Sequence, residues 1–183
     1  MPVRTLFLSV LISLIFVGSS LAEDARMDGV RVDYDSELRL SFVVKDAFTQ
    51  DIEEAIKSGI PTTFTFIVKL HRVRNLWPDK HVGTWEFGHT VKYDTLKEEY
   101  ELTLEESGRV LTTKDAGEMK RLMVTGLDAA LQPKPQLSSG QSYELRLMAE
   151  LDPVELPFLL DYMLFFVKLW DFETDWHVTT ITP

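Results

Sequence analysis

From residue 30 onward, apolar and polar side chains alternate with period two, the spacing of strands with one buried face. Val30, Val32 and Tyr34 alternate with Arg31 and Asp33, and Asp35-Ser36 turns the chain. Leu38, Leu40, Phe42 and Val44 form the next apolar row. Phe64, Phe66, Val68 and Leu70 alternate with Thr65, Ile67, Lys69 and His71. Trp85, Phe87, Val91 and Tyr93 alternate with Glu86, Thr90 and Lys92. Tyr100, Leu102 and Leu104 follow, with Glu99, Glu101 and Glu105 outward. Val110 marks a short strand after the Glu106-Ser107-Gly108 turn. Tyr143, Leu145, Leu147 and Ala149 form another row, and Trp176 and Val178 begin a last one with His177 outward. Two helices interrupt the series. Phe48, Ile52, Ala55 and Ile56 have helical spacing, closed by Gly59 and Pro61. Asp115 with Glu118 reads as a capping box, and Met119, Leu122 and Met123 give that helix a short apolar face.

Many short strands with turns between them predict a mainly β domain. The architecture expected is an antiparallel, immunoglobulin-like Greek-key β-sandwich with two or three short helices. Residues 132–140 read as a Pro/Ser/Gly connector, with no internal repeat or domain linker. Leu137, Gly140 and Tyr143 have the spacing of a tyrosine corner, whose hydroxyl bonds to backbone a few residues upstream. An ordinary core tyrosine after a turn fits the same residues. Inward rows must face inward rows. That predicts a meander of 61–74, 83–94 and 98–106. Leu70 is expected opposite Phe87, His71 beside Glu86, Thr65 beside Lys92, and Tyr93 opposite Tyr100 with Lys92 beside Glu101.

The first residues do not follow this pattern. Arg4 precedes an apolar run from Leu6 to Val17, and Ser20-Leu21-Ala22 ends it with small side chains where signal peptidase cuts. Residues 1–22 are therefore expected to be a signal peptide, and 23–183 a single domain in the periplasm or cell envelope. The run is short for a membrane span of about 20 residues. Apolar residues make up 45% and charged residues 26%, so a folded chain is expected rather than a disordered one. A formal charge of −10 argues against a general electrostatic grip on nucleic acid or anionic lipid. The absence of cysteine excludes disulfides, a thiol nucleophile, cysteine zinc sites and iron–sulfur clusters.

No residue pattern specifies a reaction. Gly140-Gln141-Ser142 lacks the second glycine of a nucleophile elbow, and no P-loop or Gly-x-Gly-x-x-Gly stretch is present. The histidines show no HExxH or HxH spacing. His89 shares parity with Phe87 and Val91 and is expected inward and hydrogen-bonded. His71 is expected at the surface near basic residues, and His81 in the loop from Trp77 to Val82. Six acids stand against Lys97 between Asp94 and Glu106, and their alternation along one strand fits a solvated face better than a glycosidase pair. Asp33 and Asp35 lack the loop of a calcium site. No metal or cofactor is expected.

Two features suggest contact surfaces. Pro78 and Asp79 suit a type I turn, and Trp77 beside them is either exposed for binding or folded back onto an open end of the sandwich. Leu156 to Phe172 holds six aromatics and three charges, Asp161, Lys168 and Asp171. It is short for a span, and its charges are costly in lipid. Its other readings are buried irregular core, or an exposed patch of Phe158, Tyr162, Phe165, Phe166 and Trp170. The patch is the reading adopted.

The middle of the chain reads Glu54-Ala55-Ile56-Lys57-Ser58-Gly59-Ile60-Pro61, then Arg72-Val73-Arg74-Asn75-Leu76-Trp77-Pro78-Asp79, then Val91-Lys92-Tyr93-Asp94-Thr95-Leu96 and Glu99-Tyr100. With Leu137 to Tyr143 and Leu156-Pro157, this resembles an exported bacterial family catalogued as domain of unknown function 4390. The resemblance implies no catalytic residues. It implies an envelope-signalling context, because members often neighbour genes for membrane sensor kinases. The function expected is therefore a non-enzymatic periplasmic interaction module. It would bind an envelope protein, a membrane sensor kinase included, or the membrane interface, and no nucleic acid. The rival is a periplasmic hydrolase or metal-dependent enzyme using the histidines or the acidic strand. A lipid or small-ligand carrier would need an apolar cavity between the sheets.

Overall fold

The computed structural model describes residues 24–34, 37–132, 134–152 and 172–183. The expected signal peptide, the turn expected at Asp35-Ser36 and residues 153–171, with Phe158, Tyr162, Phe165, Phe166 and Trp170, lie outside the described residues. Among the described residues nine strands and two helices run in the order β1 (Arg26–Tyr34), β2 (Leu38–Lys45), α1 (Gln50–Lys57), β3 (Thr62–Arg72), β4 (Lys80–Asp94), β5 (Glu99–Leu104), β6 (Arg109–Thr113), α2 (Ala116–Met123), β7 (Thr125–Ala130), β8 (Tyr143–Leu151) and β9 (His177–Ile181). Two antiparallel sheets form, one in the order β1-β2-β7 and the other β6-β5-β4-β3-β8-β9. Among the described residues no helix is long and apolar enough to cross a membrane.

The alternating rows become the core. Leu38, Leu40, Phe42 and Val44 are buried on β2, and Phe64, Phe66, Val68 and Leu70 on β3. The sheets meet through aromatic rings, with Phe42 4.7 Å from Phe66 and 6.3 Å from Phe87 between centroids. Phe48 and Phe172 each close edge-on against Phe64. Burying one such side chain is worth about 1.5–3 kcal/mol, so these rows supply most of the drive to fold.

The first helix ends and the second begins where the sequence says. Thr49 caps α1 by accepting from the Ile52 N–H at 3.3 Å. Gly59, at φ +81°, closes it, and the Ile60 N–H reaches back to the Ala55 carbonyl. Asp115 caps α2 by accepting from the Glu118 N–H at 2.9 Å. The box is only half closed, because Glu118 accepts from the Thr113 hydroxyl instead of returning to Asp115. Tyr143 forms the expected corner: its buried hydroxyl accepts from the Ser138 N–H at 2.8 Å.

Four expectations need correction. The meander β3-β4-β5 is present, and Tyr93 faces Tyr100 with Lys92 beside Glu101. The β3–β4 register, however, puts Leu70 opposite Gly83, Phe66 opposite Phe87 and Phe64 opposite His89. His71 therefore faces His81, not Glu86, and Thr65 faces Gly88, not Lys92. Alternation fixes parity but carries no information on loop length, and β4 starts early because the tip closes tightly. His81 is thus a strand residue rather than a loop residue. On β9 the parity is reversed: His177, Thr179 and Ile181 pair with the inward Leu147, Leu145 and Tyr143, while Val178 is exposed. Finally, β7 was not expected, because Thr125-Gly126-Leu127-Asp128 does not alternate. Its Gly126 lies under the Phe42 ring, where a Cβ would overlap it.

Two substitutions probe this frame. Gly126→Ala should destabilise the domain by about 1–3 kcal/mol or more through overpacking against Phe42. Tyr143→Phe should cost about 1–3 kcal/mol, since the Ser138 N–H loses its acceptor. Urea unfolding followed by tryptophan fluorescence measures both, and unchanged midpoints would remove these contacts from the account.

Candidate functional site

The β3–β4 hairpin carries the most exposed aromatic group of the described residues. Its tip closes between Arg72 and Lys80, which pair across the strands. The Arg74 N–H donates to Asp79 Oδ1 at 3.1 Å, and the Val73 N–H donates to the Ser142 carbonyl at 2.9 Å. These bonds fix the turn against the β7–β8 connector. Leu76 is 91% exposed and Trp77 73%, and Val73 is also exposed. Trp77 therefore does not fold back onto the sandwich. A shallow concavity of about 430 Å³ lies beside the tip, bordered by Arg72, Lys80, His81, Gln136, Ser138 and Tyr143.

His71 and His81 meet at the base of this tip, with ring centroids 5.3 Å apart. His71 is partly buried rather than at the surface, and its Nδ1 is enclosed without a hydrogen-bond partner. Burial, then the Arg146 charge and His81, push its imidazole below the ordinary 6.5, so it is neutral at pH 7. Glu144, its cross-strand neighbour, is held by Arg146. Among the described residues no three His, Asp or Glu side chains are grouped to hold a metal ion.

His89 is inward, as its parity requires, and fully buried. Its Nδ1 lies 3.1 Å from both the Leu122 and Met123 carbonyls at the end of α2. Its Nε2 lies 3.0 Å from Glu106 Oε2. Two carbonyls at one nitrogen require the proton on Nδ1, so Nε2 and the carboxyl share a second proton. Burial alone would push the Glu106 carboxyl up. The hydrogen bond and charge of His89, with the Glu106 N–H and the Ser107 hydroxyl, outweigh it and hold the group below 4.5. Sequence reasoning placed Glu106 in a turn and missed this partner, because nothing local marks a carboxyl that a distant histidine draws in. The remaining acids of the β5 strand stay outward, Glu99 beside Lys97 and Glu105 on the Gly88 N–H. A further acidic group forms around Glu150. Burial, followed by Asp152, Glu86 and Glu173, raises its carboxyl above the usual range.

The Glu106 carboxyl titrates lower folded than unfolded, so its stabilisation is complete above pH 4.5 and is lost as the pH falls below it. Glu106→Gln should lower stability at pH 7 by about 1–3 kcal/mol. It should also flatten the stability profile on the acid side of pH 4.5, measured by urea unfolding across pH. A variant as acid-sensitive as the parent would show that the pair is not the acid-labile group.

Searches of the curated proteins and of the solved structures find no match. A family model does match, over residues 24–180, which spans the helix–β3 segment, the Trp77 tip, the β4–β5 hairpin and the tyrosine corner. The chain belongs to the family described as Domain of unknown function (DUF4390).

Proposed function

We propose that the chain is a non-enzymatic interaction module of the cell envelope, exported by the 1–22 leader, that binds an envelope protein or the membrane interface. The observation that carries this reading is the Leu76-Trp77 tip, two large apolar side chains held out in solvent by a hairpin pinned at both flanks. Exposing them costs solvation, and pinning them lowers the entropy lost on contact. The aromatic residues Phe158, Tyr162, Phe165, Phe166 and Trp170 are proposed as a second contact on sequence grounds.

The scaffold reading is immunoglobulin-like. In its support, the order β1-β2-β7 corresponds to strands A-B-E of variable-type domains, and β5-β4-β3-β8-β9 of the six-stranded sheet corresponds to C″-C′-C-F-G, with β6 added at its edge. The tyrosine corner then falls between the equivalents of E and F, as that fold requires. By the same mapping the tip is the C–C′ turn, at the end of the sandwich that it shares with the E–F connector and opposite the end that carries the variable loops.

The enzymatic alternative, a hydrolase or metal-dependent enzyme, has the meeting of His71 and His81 in its favour. Two imidazoles are half of a tetrahedral zinc set, so the module reading is preferred.

A photo-crosslinking amino acid at position 76 tests the proposal in cells, with one at Leu127 as the control. Leu127 is also a solvent-facing leucine, 74% exposed on β7. Position 76 should give adducts to envelope components that position 127 does not. No adduct at 76, or the same adducts at both, would overturn the reading.

A further inference from the structure

The charge around the tip is opposite to that of the chain. Between Lys69 and Val82 stand four basic side chains, Lys69, Arg72, Arg74 and Lys80, and one acid, Asp79, in a protein of net −10. Asp79 is turned onto the Arg74 backbone. Of the other acids at this end, Glu144 is paired with Arg146. Arg74 and Lys80 are exposed on either side of Leu76 and Trp77. A tryptophan and a leucine ringed by cations match a membrane interface, where aromatic rings sit at headgroup level and lysine or arginine faces phosphate. A stable protein interface recruits about 20–30 residues a side, far more than this tip offers.

The geometry points to an anionic lipid surface as the occupant of the β3–β4 tip. Leu76 and Trp77 enter the boundary between headgroups and acyl chains. Arg74 and Lys80 face headgroup phosphates, and the concavity bordered by Arg72, Lys80 and His81 receives one headgroup. This rests on reading the tip as the binding surface and names its partner.

Cosedimentation of the processed chain, residues 23–183, tests it. The vesicles are phosphatidylcholine alone, or phosphatidylcholine with about one-third phosphatidylglycerol, at low and high salt. The parent should prefer the anionic vesicles and lose that preference in high salt. Leu76→Ser with Trp77→Ser should weaken binding about tenfold or more. Arg74→Gln with Lys80→Gln should weaken it by roughly fivefold per side chain and reduce the salt dependence. Circular dichroism checks that these solvent-exposed changes leave the fold intact. Equal binding to both vesicles, no binding, or binding untouched by the Leu76/Trp77 change would overturn the inference. Loss confined to Phe165→Ser with Trp170→Ser would overturn it too, while leaving the interaction-module reading in place. Adducts at position 76 to a protein, without any vesicle preference, would have the same meaning. Neither adducts nor vesicle binding would overturn both.

Discussion

The Phe42 ring fills the space between the two sheets, and its position fixes what can surround it. It packs 4.7 Å from Phe66 and tilts toward Phe87, so one side chain of β2 holds β3 and β4 at once. Its other side needs a residue without a Cβ, and Gly126 of β7 supplies one. The register between β2 and β7 shifts at this contact, from Leu40–Ala129 to Phe42–Gly126. The smaller sheet is therefore shaped to the ring. Core packing at native density leaves little room for any other arrangement of these four residues.

Beside this apolar contact lies one buried polar tie. The His89 ring is 4.9 Å from Phe66, and its two nitrogens reach α2 and the β5–β6 turn. The last carbonyls of a helix have no partners within it, and they carry the negative end of its dipole. His89 satisfies two of them with one N–H and meets Glu106 with its other nitrogen. This joins the larger sheet to the helix that precedes β7, so β7 comes into line under Phe42. The polar tie and the aromatic contact both act at the start of β7, one on the residues just before it and one on its second residue. Buried polar groups of this kind are costly unless fully paired, and here each nitrogen has its partner.

Strand identity was legible because alternation reports which face is buried. That holds for β2, β3, β4, β5 and β8, whose apolar rows lie in the core. The Gly59 end of α1 and the Asp115 cap of α2 were legible, because they depend on residues a few positions apart, whereas the Thr49 cap was not picked out. The β3–β4 register was not. It depends on the Asp79 carboxylate closing the tip and on Gly83 lying flat beneath Trp85, and neither leaves a trace in the period. The strand β7 was hidden because its second position, Gly126, must be glycine rather than apolar. The edge strand β9 misled because an edge buries only part of its inner face, so Trp176 could turn outward and lie near the Lys69 ammonium. At the candidate site, the Trp77 turn was read from Pro78-Asp79. The basic ring around it was missed because net charge was averaged over the whole chain.

That average conceals a gradient laid along one strand. β4 is fifteen residues long, on the order of 45–50 Å, with Lys80 at one end and Asp94 at the other. The basic tip lies before it, and the acid-rich β4–β5 turn, with Asp94, Glu98 and Glu99, lies after it. The Debye length at physiological salt is about 8 Å, several times shorter than the strand. A surface that meets the tip therefore senses Arg72, Arg74 and Lys80 and is screened from the carboxylates at the far end. The remote charge acts only as an orienting torque, turning the acidic end away from an anionic plane while the tip approaches. The length of β4 thus does two things: it extends the buried row that packs the sandwich, and it separates the two electrostatic ends by more than salt allows them to cancel.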